Sequence, residues 1–184
     1  KVIRAIGEPD RRFAEDHLRL LRAIRFASRF GFEIELATWQ AMKAHAPQLV
    51  KISPERIREE LDLMLSHPGR EKAFAYLRDS GLLKYLWPTA ERLLPQAEYI
   101  HGVLTALPQE ASFELCLAAM LHDVPELNVG DVCEALRCSN DTKRTLSWLV
   151  RYAHRVDEPD KLTRADLKLL MAGQDFEGLL HLLA

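Results

Sequence analysis

The sequence predicts an all-α fold made of many short helices. Apolar residues recur at three- and four-residue intervals along most of its 184 positions, and Gly or Pro interrupts these intervals where helices commonly end. Only residues 32–35 alternate between apolar and charged side chains as a strand does, and four residues are too few to build a sheet. With 48% hydrophobic and 28% charged residues, the composition is that of an ordinary globular protein.

Helix start and stop signals divide the first half of the chain. The segment 15–30 contains neither Gly nor Pro and is followed by Gly31, a common C-terminal stop. Ser53 and Pro54 open another helix, because serine is a favoured N-cap and proline a favoured first helical residue. The predicted elements of this half are helices at 15–30, about 38–47, from 54 to a break at Pro68, and 70–79, and a short apolar segment at 82–87.

The second half contains further helices separated by short turns. Residues 139–141, with the sequence Ser-Asn-Asp, form a capping sequence for one of them. The predicted helices are about 90–106, 111–123, 129–137, 140–154, 163–172 and 175–183. Prolines between residues 88 and 95 mark a boundary, so we expect one helical domain at 1–88 and a second at 89–184.

The composition excludes several classes of protein. No run of about 18 apolar residues occurs, so we expect no membrane partner, and the N-terminus does not resemble a signal peptide. The three cysteines, Cys116, Cys133 and Cys138, are odd in number and are not spaced as in a disulfide framework or a zinc ribbon. Free thiols fit a reducing compartment, and we therefore predict a cytoplasmic protein.

Positive charge is concentrated at the N-terminal end. Residues 1–30 contain eight Lys or Arg and four acidic residues, a net charge of +4, whereas the whole chain carries −2. This uneven distribution predicts an anionic partner for the N-terminal region.

Asp16 and Arg19 form the most informative pair of this region. They are three residues apart in the predicted 15–30 helix, so we expect them to be neighbours on one face. A carboxylate accepts from an exocyclic amine while a guanidinium donates to the ring acceptor beside it. Cytosine and adenine present that edge, whereas uracil and guanine present a carbonyl and a ring N–H. The ordinary alternative is a solvated ion pair that stabilises the helix by less than about 1 kcal/mol.

The sequence around this pair resembles a known family. Residues 3–27, IRAIGEPDRRFAEDHLRLLRAIRFA, are similar to class II tRNA nucleotidyltransferases and bacterial poly(A) polymerases. In that family the Glu-Asp-x-x-Arg element is the amino-acid template that selects incoming CTP and ATP. The resemblance implies that Asp16 and Arg19 are the template pair, and that Arg22 and Arg25 lie along the bound nucleotide and its triphosphate.

A second segment carries the same resemblance. Residues 52–61, ISPERIREEL, are similar to the helix-turn element that braces the nucleotide site in the family. The resemblance implies bracing roles for Glu15, Ser53, Glu55 and Arg56. It also implies that residues 1–88 form the neck, with the nucleotide template and RNA-binding helices, and that residues 89–184 form the body.

The family's catalytic signatures are missing from these 184 residues. The head domain of the family carries a Gly-Ser turn, an Asp-x-Asp pair that holds two Mg²⁺ ions, and an Arg-Arg-Asp element, and none of the three occurs here. We therefore expect the chain to be the neck and body of a longer RNA nucleotidyltransferase, with the head domain and its Mg²⁺ preceding Lys1. By itself the chain is expected to be inactive.

The partners that the resemblance implies are nucleoside triphosphates and the 3′ end of tRNA or another RNA. The same base-reading pair serves CCA addition, A-only addition and poly(A) addition, so these outcomes stay open. An alternative from another class is a stand-alone helical RNA-binding or adaptor module without catalysis. An open reading frame that starts near Lys1 would favour that alternative.

Residues 115–124 resemble the His-Asp segment of HD-type metal phosphohydrolases. His122 and Asp123 are the candidate ligands, with His101 upstream. A hydrolytic site needs three or four ligands and a water, and the stretch rich in Gly, Lys and His that usually follows the His-Asp pair is absent. We predict that no metal is bound and that His122 is hydrogen-bonded near the end of a helix.

Overall fold

The computed structural model describes residues 1–156 and 162–183. Within them the protein is helical, as predicted, with one minimal sheet. The α-helices are α1 (Pro9–Glu15), α2 (Arg19–Phe30), α3 (Leu36–His45), α4 (Pro54–Leu65), α5 (Arg70–Asp79), α6 (Ala97–Ala106), α7 (Phe113–Leu121), α8 (Val129–Ala135), α9 (Asn140–Val156), α10 (Arg164–Met171) and α11 (Phe176–Leu183). Shorter 3₁₀ segments cover Ala46–Lys51, Leu82–Tyr85 and Ala90–Gln96.

Residues 32–35 contribute to a sheet after all, although a very small one. Strand β1 (Val2–Ile3) pairs in parallel with β2 (Glu33–Ile34), with Val2 opposite Glu33. The backbone N–H of Glu35 donates to the carbonyl of Ile3 at 2.9 Å. The partner strand lies at the N-terminus and shows no alternating pattern of its own, so the sequence did not reveal it. The pairing holds the N-terminus beside the end of α2.

The predicted stop at Gly31 is confirmed. Gly31 has a left-handed backbone, with φ of 63°, and the N–H of Phe32 donates to the carbonyl of Ala27 at 2.9 Å. This is the glycine-terminated helix end that satisfies otherwise unpaired carbonyls. The turn sends the chain back toward β1.

The predicted 90–106 helix is divided in the structure. Its first part is the 3₁₀ segment Ala90–Gln96, which contains Pro95, and α6 begins only at Ala97. Proline has no N–H to donate and clashes with the preceding turn, so an α-helix cannot run through it undisturbed. The capping prediction before α9 is confirmed, because the Ser139 hydroxyl accepts from the N–H of Thr142 at 3.1 Å.

One continuous cluster of buried side chains runs from Phe13 to Leu182. α2 packs against α4 and α5, while α7 packs against α6, α9 and α11. Every residue of α7 except Glu114 is buried, so this helix lies at the centre of the C-terminal part. The cluster passes through Trp87 and Leu93 at the expected domain boundary, and the division into 1–88 and 89–184 stays a prediction. Among the described residues, no helix is both long and apolar enough to span a bilayer.

Candidate nucleotide-binding site

Asp16 lies in a turn between two helices rather than inside one. α1 ends at Glu15, and Asp16 has an extended backbone with φ of −153° and ψ of 104°. Its Oδ1 accepts from the N–H of Leu18 at 3.1 Å, and its carbonyl accepts from the N–H of Arg19 at 3.1 Å. Aspartate favours such turns because its short side chain competes for nearby backbone N–H groups. The prediction of one uninterrupted helix over 15–30 is therefore wrong at its first turn.

Arg19 is fixed against α1 through one nitrogen. Its Nη1 donates to the carbonyl of Arg12 at 3.1 Å and to Glu15 Oε2 at 3.0 Å. Glu15 also pairs with Arg12 at 2.8 Å and with Arg11 at 3.7 Å, so one carboxylate holds three guanidinium groups. Both contacts of Arg19 engage Nη1, and within the described part of the chain its Nη2 and Nε donate to no protein group.

The start of α4 reaches residues 15–19, here called the template turn after their expected role, through a single side chain. Arg56 Nη2 lies 3.5 Å from Asp16 Oδ2, which is consistent with the expected bracing role of Arg56. Ser53 occupies the N-cap position of α4 as predicted, but its side chain makes no capping hydrogen bond. Among the described residues, no hydrogen bond or ion pair joins Ser53 or Glu55 to the template turn. Their predicted bracing roles stay predictions.

Glu60 holds the two arginines that follow the template pair. Its side chain is only 7% exposed, and its Oε1 accepts from Arg22 Nε at 3.1 Å. Arg25 Nε lies 3.0 Å from Glu60 Oε2, but the N–H does not point at this oxygen, so the contact is an ion pair without a hydrogen bond. Arg25 also covers the ring of Phe26, with 4.6 Å between the guanidinium carbon and the ring centroid.

A surface cleft of about 300 Å³ opens along α2 beside this network. Four arginines line it, together with two aromatic rings and a hydroxyl; these residues are Arg4, Arg12, Arg19, Arg22, Phe13, Phe26 and Thr38. Arginine side chains suit phosphate because they donate several hydrogen bonds from a fixed planar group. Asp16 and Arg25 are not among the lining residues, so the four predicted nucleotide-binding residues do not share one cleft in this chain.

Sequence reasoning overlooked Glu60, although a signal was present. The apolar stripe of α4 includes Ile57, Leu61 and Met64. Glu60 lies three residues after Ile57 and four before Met64, which places it on the same face of the helix. A carboxylate on the buried face of a helix requires a partner of opposite charge. That requirement points to the arginines of the neighbouring helix.

A larger cleft, of about 750 Å³, lies between the start of α4, the Leu82–Tyr85 segment and α8. Its charged lining residues are two cationic side chains, Lys84 and Arg137, and two acidic ones, Asp131 and Glu134. This balance does not favour an anionic ligand, so the cleft along α2 is the stronger candidate.

The HD-like segment takes the structural role that was expected of it. His122 is buried at the end of α7, where its Nδ1 lies 3.2 Å from the carbonyl of Ala119 and its Nε2 lies 3.0 Å from the hydroxyl of Tyr99. Because a carbonyl only accepts, Nδ1 carries the proton and Nε2 accepts from Tyr99. Burial lowers the pKa of His122, so the ring is held neutral.

The structure gives no support to a metal centre built on that segment. Both nitrogens of His122 are engaged by protein groups, which leaves no lone pair for a metal ion. Within residues 1–156 and 162–183, no three His, Cys, Asp or Glu side chains are grouped as metal ligands, whether around His101 and Asp123 or elsewhere.

Known proteins resemble this chain in sequence. The family model for the probable RNA- and SrmB-binding site of polymerase A matches residues 31–94. The chain is 34% identical over 170 residues to the CCA-adding enzyme of Streptococcus mutans, covering 91% of the chain and 41% of that enzyme. It is 30% identical over 186 residues to the CCA-adding enzyme of Staphylococcus saprophyticus, covering 100% of the chain and 43% of that enzyme.

Solved structures show the same arrangement of helices. The crystal structure of the Bacillus stearothermophilus CCA-adding enzyme in complex with CTP superposes with a TM-score of 0.81 at 27% identity, over 98% of this chain and 45% of that one. The Thermotoga maritima CCA-adding enzyme complexed with tRNA shares the fold, with a TM-score of 0.68 at 22% identity, over 99% of this chain and 47% of that one. The chain thus spans less than half the length of these relatives. From its relatives and its fold, the chain belongs to the family of class II tRNA nucleotidyltransferases and bacterial poly(A) polymerases.

Proposed function

We propose that the chain supplies base selection and RNA binding in an enzyme that adds C and A nucleotides to the 3′ ends of tRNA. The observation that carries the proposal is a cleft lined by four arginines, one of which, Arg19, follows the turn at Asp16. The relatives that the chain matches are CCA-adding enzymes, and tRNA is therefore the preferred RNA substrate. Poly(A) addition is the less favoured alternative within the family.

The side chains of Asp16 and Arg19 suit the edges of cytosine and adenine. Asp16 Oδ2, which faces Arg56 at 3.5 Å, accepts from the exocyclic amine of the base. Arg19 donates from Nη2 or Nε to the neighbouring ring nitrogen. Uracil or guanine would instead place a carbonyl against the carboxylate, and a mispaired polar group costs about 1–3 kcal/mol. The pair therefore rejects U and G while accepting both C and A.

Arg22 and Arg25 serve the phosphates in this proposal. Glu60 engages both side chains at Nε, so their terminal nitrogens remain available for an anion. Two guanidinium groups on one carboxylate leave a net positive charge beside the cleft. A triphosphate bound there is attracted by this charge and is held by directed hydrogen bonds.

In this proposal, the carboxylates that catalyse the phosphoryl transfer lie outside these residues. Magnesium-dependent phosphoryl transfer needs carboxylates that hold two ions about 4 Å apart, and the segments described here offer no such group. We propose that a head domain of the same protein supplies them. The helices that match the RNA-binding family model at 31–94 would then hold the tRNA, chiefly through phosphates and shape.

The test replaces the template pair in the full-length protein that contains this chain. Asp16→Ala and Arg19→Ala are expected to lower the preference for CTP and ATP over UTP and GTP by about 10- to 100-fold, the equivalent of one mispaired polar group. Incorporation of all four nucleotides into tRNA that lacks its CCA end is the measurement. Sequencing the products from tRNA ends of different lengths distinguishes CCA addition from A-only addition.

Asp141 and Arg144 provide a matched control. They have the same residue types at the same spacing, form an exposed ion pair of 3.0 Å on α9, and lie far along the chain from the cleft. Replacing either with Ala should leave base preference unchanged. Equal losses for all four nucleotides in the Asp16 and Arg19 variants, with selectivity intact, would contradict the template role.

A further inference from the structure

Two of the three cysteines meet at the end of α8. Cys133 lies in the last turn of this helix and is 2% exposed, whereas Cys138 follows the helix and is half-buried. The two residues lie next to each other across the helix end, where a backbone hydrogen bond joins them. The third cysteine, Cys116, lies on α7 and donates to the carbonyl of Leu65 at 3.2 Å.

The contact follows from the way α8 ends. The N–H of Cys138 donates to the carbonyl of Cys133 at 2.8 Å, and the N–H of Arg137 donates to the carbonyl of Glu134 at 3.1 Å. Arg137 has φ of 51°, the left-handed conformation that this helix ending requires. The motif normally brings two apolar side chains into contact across the turn, at the positions that the two cysteines occupy here.

We propose that Cys133 and Cys138 form a thiol-oxidation site, which a peroxide converts to an intramolecular disulfide. The backbone hydrogen bond fixes the two residues in close approach, so a bond between the sulfurs needs no rearrangement of the helices. This inference concerns residues outside the nucleotide cleft and does not depend on the proposed function.

The surroundings assign different parts to the two sulfurs. Cys138 reaches solvent, and its contact with the Cys133 thiol, together with the charge of Arg58, lowers its pKa. The pKa of Cys133 is raised, first by the hydrogen bond it gives to Cys138 and then by burial. Cys138 is therefore the thiolate that meets the oxidant, and Cys133 is the resolving thiol.

The reaction balances with hydrogen peroxide as the oxidant. The Cys138 thiolate attacks one peroxide oxygen, so that an S–O bond forms, the O–O bond breaks, and hydroxide leaves and takes a proton as water. The Cys133 sulfur then attacks Cys138, so that the S–S bond forms and the S–O bond breaks with release of a second water. Two thiols lose two electrons, and peroxide gains them. Small thiols reverse the step by exchange.

Cys116 serves as the internal control. It is fully buried, and burial raises the pKa of its thiol to about 11, so it has almost no thiolate at neutral pH. After treatment with hydrogen peroxide and alkylation in denaturant, peptide mapping without reductant should find a Cys133–Cys138 linkage and alkylated Cys116. Dithiothreitol added before alkylation should restore three alkylated cysteines.

Two serine variants separate the roles. Cys133→Ser should accumulate a sulfenic acid at Cys138 that dimedone traps, since the resolving thiol is gone. Cys138→Ser should lose thiols at least tenfold more slowly than the wild type. Wild-type protein that keeps three free thiols under the same treatment would overturn the proposal, as would a persistent dimedone adduct at Cys138 in the wild type. The wild-type peptide map decides the question even where a variant is poorly folded.

Discussion

At the scale of single residues, the site depends on carboxylates that the protein itself uses. Glu15 holds Arg19, and Glu60 holds Arg22 and Arg25, so the arginines are ordered before any ligand arrives. An ordered guanidinium loses less conformational entropy on binding than a free one. Acidic residues thus hold the arginine side chains of the cleft in position. The net charge of this region alone would not reveal the site.

Glu60 is expected to stabilise the fold as well as to order the arginines. Glu60→Gln should lower the free energy of unfolding by about 1–3 kcal/mol, because it removes a buried charge while leaving two arginines without their partner. Urea denaturation measures the change. Glu59→Gln, at the exposed neighbouring position, should change stability by less than about 0.5 kcal/mol. Equal effects of the two substitutions would contradict a special role for Glu60.

His122 should make the stability depend on pH. Burial lowers the pKa of His122 in the folded protein below its unfolded value, so the unfolded chain takes up a proton first as the pH falls. The free energy of unfolding should therefore decrease as the pH is lowered from about 7 through the pKa of His122 in the folded protein. The whole stabilising contribution of His122 is present above its pKa in the unfolded chain.

The substitution His122→Gln tests this expectation. It should weaken the decrease of stability on acidification, which urea denaturation at several pH values measures. His101→Gln, a histidine outside the buried α7 segment, is the matched control and should keep the wild-type profile. A His122→Gln variant with the wild-type pH profile would show that the buried imidazole is not responsible.

At the scale of elements, helix boundaries depend on how each backbone group finds a partner. The helix breaks at Asp16 although no Gly or Pro stands there. The Asp16 side chain accepts a hydrogen bond from the N–H of Leu18, and the next helix begins in a new direction. That change of direction sends α1 across α3 and α2 across α4 and α5. The local turn therefore decides which faces of the two helices are buried.

Arg70 joins two elements through the protein interior. It is 2% exposed, and its guanidinium donates to the carbonyl of Leu65 at 2.8 Å, of Pro108 at 2.9 Å and of Gln109 at 2.7 Å. These bonds tie the end of α4 to the loop before α7. Arg70→Met should lower the free energy of unfolding by about 2–4 kcal/mol, because buried carbonyls lose their donors.

Two controls accompany the Arg70 substitution in the same denaturation experiment. Arg144→Met removes a guanidinium whose side chain is 73% exposed and should cost less than about 0.5 kcal/mol. Arg70→Lys keeps the charge but not the planar fork, so it should restore only part of the loss. A stability loss at Arg70 no larger than at Arg144 would contradict the stabilising role of the Arg70 hydrogen bonds.

At the scale of the whole molecule, one core unites the two predicted domains. Leu86 and Trp87 precede the expected boundary and Ala90 and Leu93 follow it, and all four belong to the same buried cluster. A break in the chain at residue 88 would expose this surface to water. We therefore expect a single cooperative unfolding transition for the 184-residue chain.

Calorimetry tests this expectation, because a two-state transition has equal calorimetric and van't Hoff enthalpies. Trp39 and Trp148 lie in different halves of the chain, so variants that retain only Trp39 or only Trp148, with Trp87 also replaced, report on each half. Coincident fluorescence transitions are expected. Two separate transitions would instead support independent domains at 1–88 and 89–184.

Sequence reasoning recovered most of the helices, while the roles of the template residues stay predictions. Periodicity is local, so the helical stretches could be read from spacing alone, as could the stop at Gly31 and the cap at Ser139. What it missed depended on distant partners. The strand Val2–Ile3 exists only because residues 33–34 lie beside it, and two residues carry no pattern of their own.

The sequence by itself determined that the protein is helical, that its positive charge lies at the N-terminal end, and that Asp16 and Arg19 stand three residues apart in that basic region. These properties follow from residue types at short spacing, which the linear chain already contains. Only the tertiary structure decided that Asp16 turns the chain, that Glu60 orders Arg22 and Arg25, and that Cys133 meets Cys138. Each of these contacts depends on backbone direction or on packing between helices, and spacing along the sequence specifies neither.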